Sequence, residues 1–228
     1  MSKRISMLMV LAVAMFVAVG NVQADPSAAI AKIGGNAGAL WGKVKAAGKS
    51  VNALSDLNKL QIEVAKAKAT GDRKALIGAL VGLLRLEADI LKTDSTDISA
   101  HMRPIKKNGD DTELYLRMED MSSTLRKLRR SVRKSSANAD SLENLIKLQV
   151  ETIDSKEMTP ENAGKRSGAA KDKFNRGYRM AMVEVTVEML RMEQQIMDGD
   201  NSAAMKTLLG LLKQKDKGHE EYQDEGGL

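Results

Sequence analysis

From Asp110 to Val132 the chain reads DDTELYLRMEDMSSTLRKLRRSV, and its apolar residues recur at steps of four, three, four, three and four: Leu114, Met118, Met121, Leu125, Leu128 and Val132. That spacing puts one unbroken apolar stripe on an α-helix; a half-buried strand would alternate every second residue instead. A stripe of this length has to be covered, and the segments downstream supply the cover. A second helix is expected over about Asp140–Ser155, with Leu142, Leu145, Ile146, Gln149 and Ile153 on one side. After the loop KEMTPENAGKRSG, a third over about Lys171–Met197 carries Phe174, Tyr178, Ala181, Val185, Met189, Met192 and Ile196 at the same steps. The turn DGDN, with Asp200 or Ser202 as cap, opens a fourth, in which Met205, Leu208, Leu212, Lys215, His219 and Tyr222 are in phase. Four amphipathic helices with short connections predict an antiparallel up-down-up-down four-helix bundle over 112–228.

Upstream, helices are expected near Ala37–Lys68 and Arg73–Lys92, joined by ATGD with Asp72 as cap, so that 25–93 forms a helical hairpin extension. The stretch 94–111, with Pro104, Gly109 and scattered charge, reads as a linker and domain boundary. No segment alternates apolar and polar residues between turn signals, so the protein is expected to be all-α. The segment TGDRKALIGALVGLLRLEAD echoes DGDNSAAMKTLLGLLKQKDK. Similar helix-hairpin composition accounts for this more readily than duplication.

The first 24 residues have a basic start (Lys3, Arg4), an apolar run from Ile5 to Gly20 and the small-residue pattern VQA before Asp25. They read as a cleaved signal peptide, which predicts a soluble, periplasmic protein. There is no cysteine, so disulfides, thiolate zinc sites and covalent heme attachment through Cys-x-x-Cys-His are excluded. The formal charge of +6 becomes +4 once Lys3 and Arg4 are removed, and aromatic residues are 3% of the chain. So few aromatics argue against base-stacking nucleic-acid modules.

In the expected bundle, the start of the first helix and the end of the fourth share one end. Met118 and His219 would then face each other from inward seams on axes about 8–10 Å apart. A thioether and a neutral imidazole are an axial pair for heme iron. Each residue also has an ordinary structural reading: methionine as core filler, and histidine near a helix C-terminus as a partner of the helix dipole.

The segments MEDMSSTLRKL at Met118–Leu128, FNRGY at Phe174–Tyr178 and HEEY at His219–Tyr222, in that order, resemble the cytochrome b562 family over about Leu114–Gln223. These are periplasmic four-helix proteins that hold heme b without covalent attachment. The resemblance implies one heme b per chain with Met118 and His219 as axial ligands. It implies that Met121, Leu125, Phe174 and Tyr178 line the pocket, and that Lys215 stands where the family has a basic residue. With both axial positions filled, it implies electron transfer to a redox partner protein rather than an enzyme.

Two other functions fit the residues. Of the methionines, Met118/Met121, Met180/Met182 and Met189/Met192 form close pairs, and soft thioethers suit Cu(I), which gives a periplasmic copper-binding protein. A metal-free helical scaffold or chaperone is the third reading. The six basic residues from Arg126 to Lys134 read either as a docking patch for an acidic partner or as a solvated helix face. Gly34, Gly38 and Gly42, beside Trp41, permit close helix contact with another chain, including a homodimer, contact with a membrane surface, or a lack of fixed structure. His101 reads as a linker residue.

Overall fold

The computed structural model describes Ile33 and residues 50–222 except 110 and 135–137. The expected signal peptide, the glycine-spaced segment and the expected start of the first hairpin helix at Ala37 lie outside the described residues. Within 50–222 there are six α-helices: α1 (Leu54–Ala67), α2 (Arg73–Thr93), α3 (Glu113–Arg133), α4 (Asn138–Ser155), α5 (Gly168–Met197) and α6 (Asn201–Tyr222). A ribbon of two-residue strands, β1 (Lys107–Asn108) and β2 (Asp111–Thr112), is the only sheet among the described residues, so the protein is all-α. No helix among them is long and apolar enough to cross a membrane.

The helix starts follow local chemistry. Asp72, Thr112 and Asp200 lie just before α2, α3 and α6, and their side-chain oxygens accept from the backbone N–H groups of Ala75, Tyr115 and Ala203 at 3.1, 3.1 and 2.9 Å. Each satisfies a donor that the helix cannot pair internally. Of the two caps expected for the last helix, Asp200 takes the role. Gly199 adopts φ 79° between α5 and α6, a conformation that glycine reaches without steric cost. α5 begins at Gly168, a turn earlier than its apolar periodicity suggested, because Gly168, Ala169 and Ala170 carry no large apolar side chain to extend the stripe.

α3 packs on α4, α4 on α5 and α5 on α6, and α3 meets α6 more sparsely. Contacts at both ends fix antiparallel directions. Arg117 near the start of α3 pairs with Glu151 and Asp154 near the end of α4, at 2.7 and 2.8 Å, while Ser141 at the start of α4 donates to Ser131 near the end of α3 at 2.9 Å. Phe174 near the start of α5 meets Tyr222 at the end of α6, and Thr207 of α6 donates to Gln195 of α5 at 2.9 Å.

The α1–α2 hairpin packs on this set, α1 against α4 and α2 against α5. Helices α4 and α5 therefore bury two faces each. Leu145, Leu148, Met189, Met192 and Ile196 join one core with Leu128 and Leu208; Ile153, Tyr178, Met182, Val183 and Leu190 join the hairpin's leucines in the other. The stretch read as a linker is pinned as well. Ile98 and Met102 are buried, Arg176 donates to the carbonyls of Leu91 and Thr96 at 2.8 and 2.7 Å, and Arg103 and Thr159 share a backbone bond of 2.9 Å.

The hairpin side of α4 and α5 holds charges that the sequence reading did not single out. Glu87 accepts from Arg179 at 2.7 Å and Gln61 at 2.9 Å, and it also pairs with Lys156. One level away, Glu193 accepts from Lys68 at 2.6 Å and Gln149 at 2.8 Å. All seven side chains are essentially inaccessible to water. Burial alone would raise the pKa of Glu87, but the charges of Lys156 and Arg179 outweigh it and pull it to about 2.

Candidate functional site: an apolar cleft between α3, α5 and α6

The apolar stripe of α3 is continuous in sequence but not in burial. Leu128 and Val132 are buried, while Leu114, Met118, Met121 and Leu125, nearer the helix start, are only half-buried. Beside them the helices part around an open-mouthed, mainly apolar cleft of about 160 Å³. α3 contributes Leu114, Met118, Met121 and Leu125; α5 contributes Tyr178, Ala181, Met182, Val185 and Met189; α6 contributes Leu211, Lys215, His219 and Tyr222. Leu148 of α4, Pro160 and Glu161 of the α4–α5 loop, and the polar Tyr115, Ser122 and Gln214 also line the cleft. Gly218 also lines the cleft and, without a side chain, adds width next to His219.

The cleft's end is built from rings. Tyr222 lies between Phe174 and Tyr178, with ring centroids 5.1 and 5.3 Å away. Gly177 makes this fit possible: a Cβ there would stand 3.3 Å from the Tyr222 hydroxyl. The Tyr178 hydroxyl donates to the Ser155 carbonyl at 3.1 Å, and the Ser155 hydroxyl lies 4.0 Å from the Met121 sulfur. No such hydrogen bond engages the Met118 sulfur among the described residues. Burial raises the pKa of both Tyr178 and Tyr222, so the rings stay neutral.

His219 is an exposed residue at the rim, with its ring partly withdrawn from water. That burial, and after it the nearby Lys215, lower its pKa, with Asp216 acting in the opposite sense. The imidazole is thus held neutral and has a free lone pair near neutral pH. Lys215 is half-buried and pairs with Asp216 at 3.4 Å.

Of the residues singled out from sequence, Met118, Met121, Leu125, Tyr178, Lys215 and His219 line this one cleft. Phe174 does not. It lies a turn before Tyr178, stacks on Tyr222 and carries the Arg166 guanidinium 3.8 Å above its ring. It therefore supports the wall from behind. Met182, read from the sequence only as half of a methionine pair, also lines the cleft, four residues after Tyr178 and three before Val185 on the same face. Tyr222 was legible on the α6 seam but not as a wall. Among the described residues no group of three or more His, Cys, Asp and Glu side chains is placed to hold a metal; the cleft lining offers thioethers, the His219 imidazole and the Glu161 carboxylate. No protein-family model matches the chain, and no curated protein or solved structure matches it significantly.

Proposed function

We propose that the protein is a periplasmic carrier of single electrons that holds one heme b non-covalently, with Met118 and His219 as axial ligands. In this reading α3–α6 form an antiparallel four-helix bundle of the cytochrome b562 type. The carrying observation is that Met118 and His219, from the first and last of these helices, both line one mainly apolar cleft. The half-buried state of Leu114, Met121 and Leu125 supports the reading. These are core positions by their spacing, and an apolar ligand in the cleft would complete their burial.

The residues present fit such a group. Thioether and neutral imidazole are ligands for heme iron, and the methionine raises the reduction potential. Tyr178, Val185 and Leu125 would pack on its faces, and Lys215 at the rim would face its carboxylates. When bound, the heme supplies a reversible one-electron change at iron. The chain's part is to exclude water, keep the His219 ring deprotonated and hold both donors on rigid helices, which leaves no coordination position for a substrate.

The test is hemin addition to the purified protein, followed by absorbance spectra in the oxidised and reduced states. One equivalent bound with a low-spin spectrum is expected. Met118→Ala should lose the low-spin spectrum, and His219→Ala should lose most of the affinity. An unaltered spectrum in Met118→Ala sinks the ligand assignment. A colourless protein that ignores hemin favours the scaffold reading.

One observation favours copper as a second reading: Met118, Met121, Met182, Met189 and His219 line the same cleft. Soft thioethers with an imidazole suit Cu(I). Anaerobic titration with Cu(I) separates the two, since tight stoichiometric binding that hemin cannot displace would support copper.

A further inference from the structure

We propose that the C-terminal half of α3 is a docking surface for anionic membranes, in which Arg126, Arg129, Arg130 and Arg133 engage lipid phosphates. These four arginines are exposed, as are Lys127 and Lys134 beside them. None of the six has an acidic partner among the described residues. The first half of the helix is different. It holds all of its acidic residues, Glu113, Glu119 and Asp120, and its arginine, Arg117, is paired three times over. Along α3 the basic charge without an acidic partner is therefore confined to the C-terminal half.

The helix dipole does not account for the stripe. Its attraction for cations is limited to the last turn, which holds Arg130 and Arg133. Arg126, Lys127 and Arg129 lie before it. At about 100° per residue, the four arginines fall within an arc of about 100° and a length of about 11 Å, away from buried Leu128 and Val132. A row of exposed arginines on one helix face is the electrostatic composition of a surface that rests at an anionic lipid interface.

A membrane suits this face better than a folded acidic protein does. Specific protein interfaces centre on aromatic anchors seated in pockets. Here Tyr115, Phe174, Tyr178 and Tyr222 are all at the cleft end, and neither the cleft nor the small cavity beside Arg103 reaches the stripe. A flat row of guanidinium groups instead matches phosphates that can rearrange laterally, which arginine binds in bidentate fashion. Met118 lies about 18 Å along the helix from Arg130, so docking through the stripe leaves the cleft open to solvent. This proposal does not depend on what the cleft holds.

The test is co-sedimentation of the full chain with vesicles of phosphatidylcholine alone and of phosphatidylcholine mixed with phosphatidylglycerol. Binding only to the anionic vesicles, weakening as salt rises, is expected. The variant Arg126→Gln/Arg129→Gln/Arg130→Gln/Arg133→Gln should partition on the order of a thousandfold less. Its four sites are on the surface, so its thermal unfolding should match the parent, and the apolar N-terminal run is common to both proteins and cancels. Equal partitioning of variant and parent overturns the proposal. So does an absence of preference for anionic vesicles, including the case where a poly-glutamate peptide binds through the arginines instead.

Discussion

His219 stands at the cleft rim, one turn after Lys215, and its ring is harder to protonate than that of a free histidine because it is partly buried and because Lys215 is near. The reference value is about 6.5. Between that and the lower folded value, the unfolded chain takes up a proton that the folded chain refuses. This contribution therefore costs stability as pH drops through about 6.5, and the loss stops below the folded pKa. His219→Ala should flatten this part of the pH profile of urea unfolding. Lys215→Gln removes the second cause, so the imidazole pKa should rise towards 6.5. Asp216→Asn removes the opposing charge and should lower it further. NMR titration of the His219 ring reads both. Because an iron ligand must be deprotonated, hemin affinity should stay level to below pH 6.5 and then fall about tenfold per unit, and Lys215→Gln should move that threshold upward.

The α4 and α5 helices set the stability of the hairpin's docking through Glu87. With Lys156, Arg179 and Gln61 all donating to it, Glu87→Ala leaves two cations in the interior without the carboxylate they share. The expected cost is about 3–5 kcal/mol in urea unfolding, whereas replacing Glu87, Lys156 and Arg179 together by leucine and methionine should recover much of it. The folded pKa of Glu87, about 2, is below its ordinary 4.5, so its stabilisation is complete above the ordinary value and lost as pH falls towards 2. Glu87→Gln should remove that acid-dependent loss. The α3 stripe was legible in the sequence because Leu, Met and Val have one common reason to recur at three- and four-residue steps. The buried charges on the hairpin side were not, because Lys68, Glu87, Lys156, Arg179 and Glu193 are residue types that normally face water. Only their pairing in space lets them go inside, and spacing along a chain does not reveal a partner up to 125 residues away. Phe174 fails for a related reason. Four residues before Tyr178 it shares a helix face, but the cleft ends between them.

At the scale of the whole molecule, the boundary drawn at 94–111 separates two composition patterns without separating two cores. Tyr178, Met182, Val183 and Leu190 of α5 and Ile153 of α4 are buried in the cluster that contains Leu57, Leu80 and Leu84 of the hairpin. A fragment spanning 112–228 keeps α3–α6 but uncovers that whole side. Losing the cover over even one large apolar side chain costs about 2–5 kcal/mol, and here several lose it together. The fragment should therefore unfold at least about 3 kcal/mol more easily than the full chain, or bind hydrophobic dyes as a loosely packed helical state. The full chain should unfold in one transition, with helicity by circular dichroism and the NMR signals of His101 and His219 changing together, because one histidine reports on the pinned connection and the other on the cleft. If the fragment matches the full chain in midpoint, or the two histidines report separate transitions, the two cores are independent. Hemin sharpens the comparison. Binding at Met118 and His219 would stabilise the full chain by mass action. If α4 and α5 transmit that gain, the hairpin-side signal of His101 should move to higher urea by the same amount as that of His219.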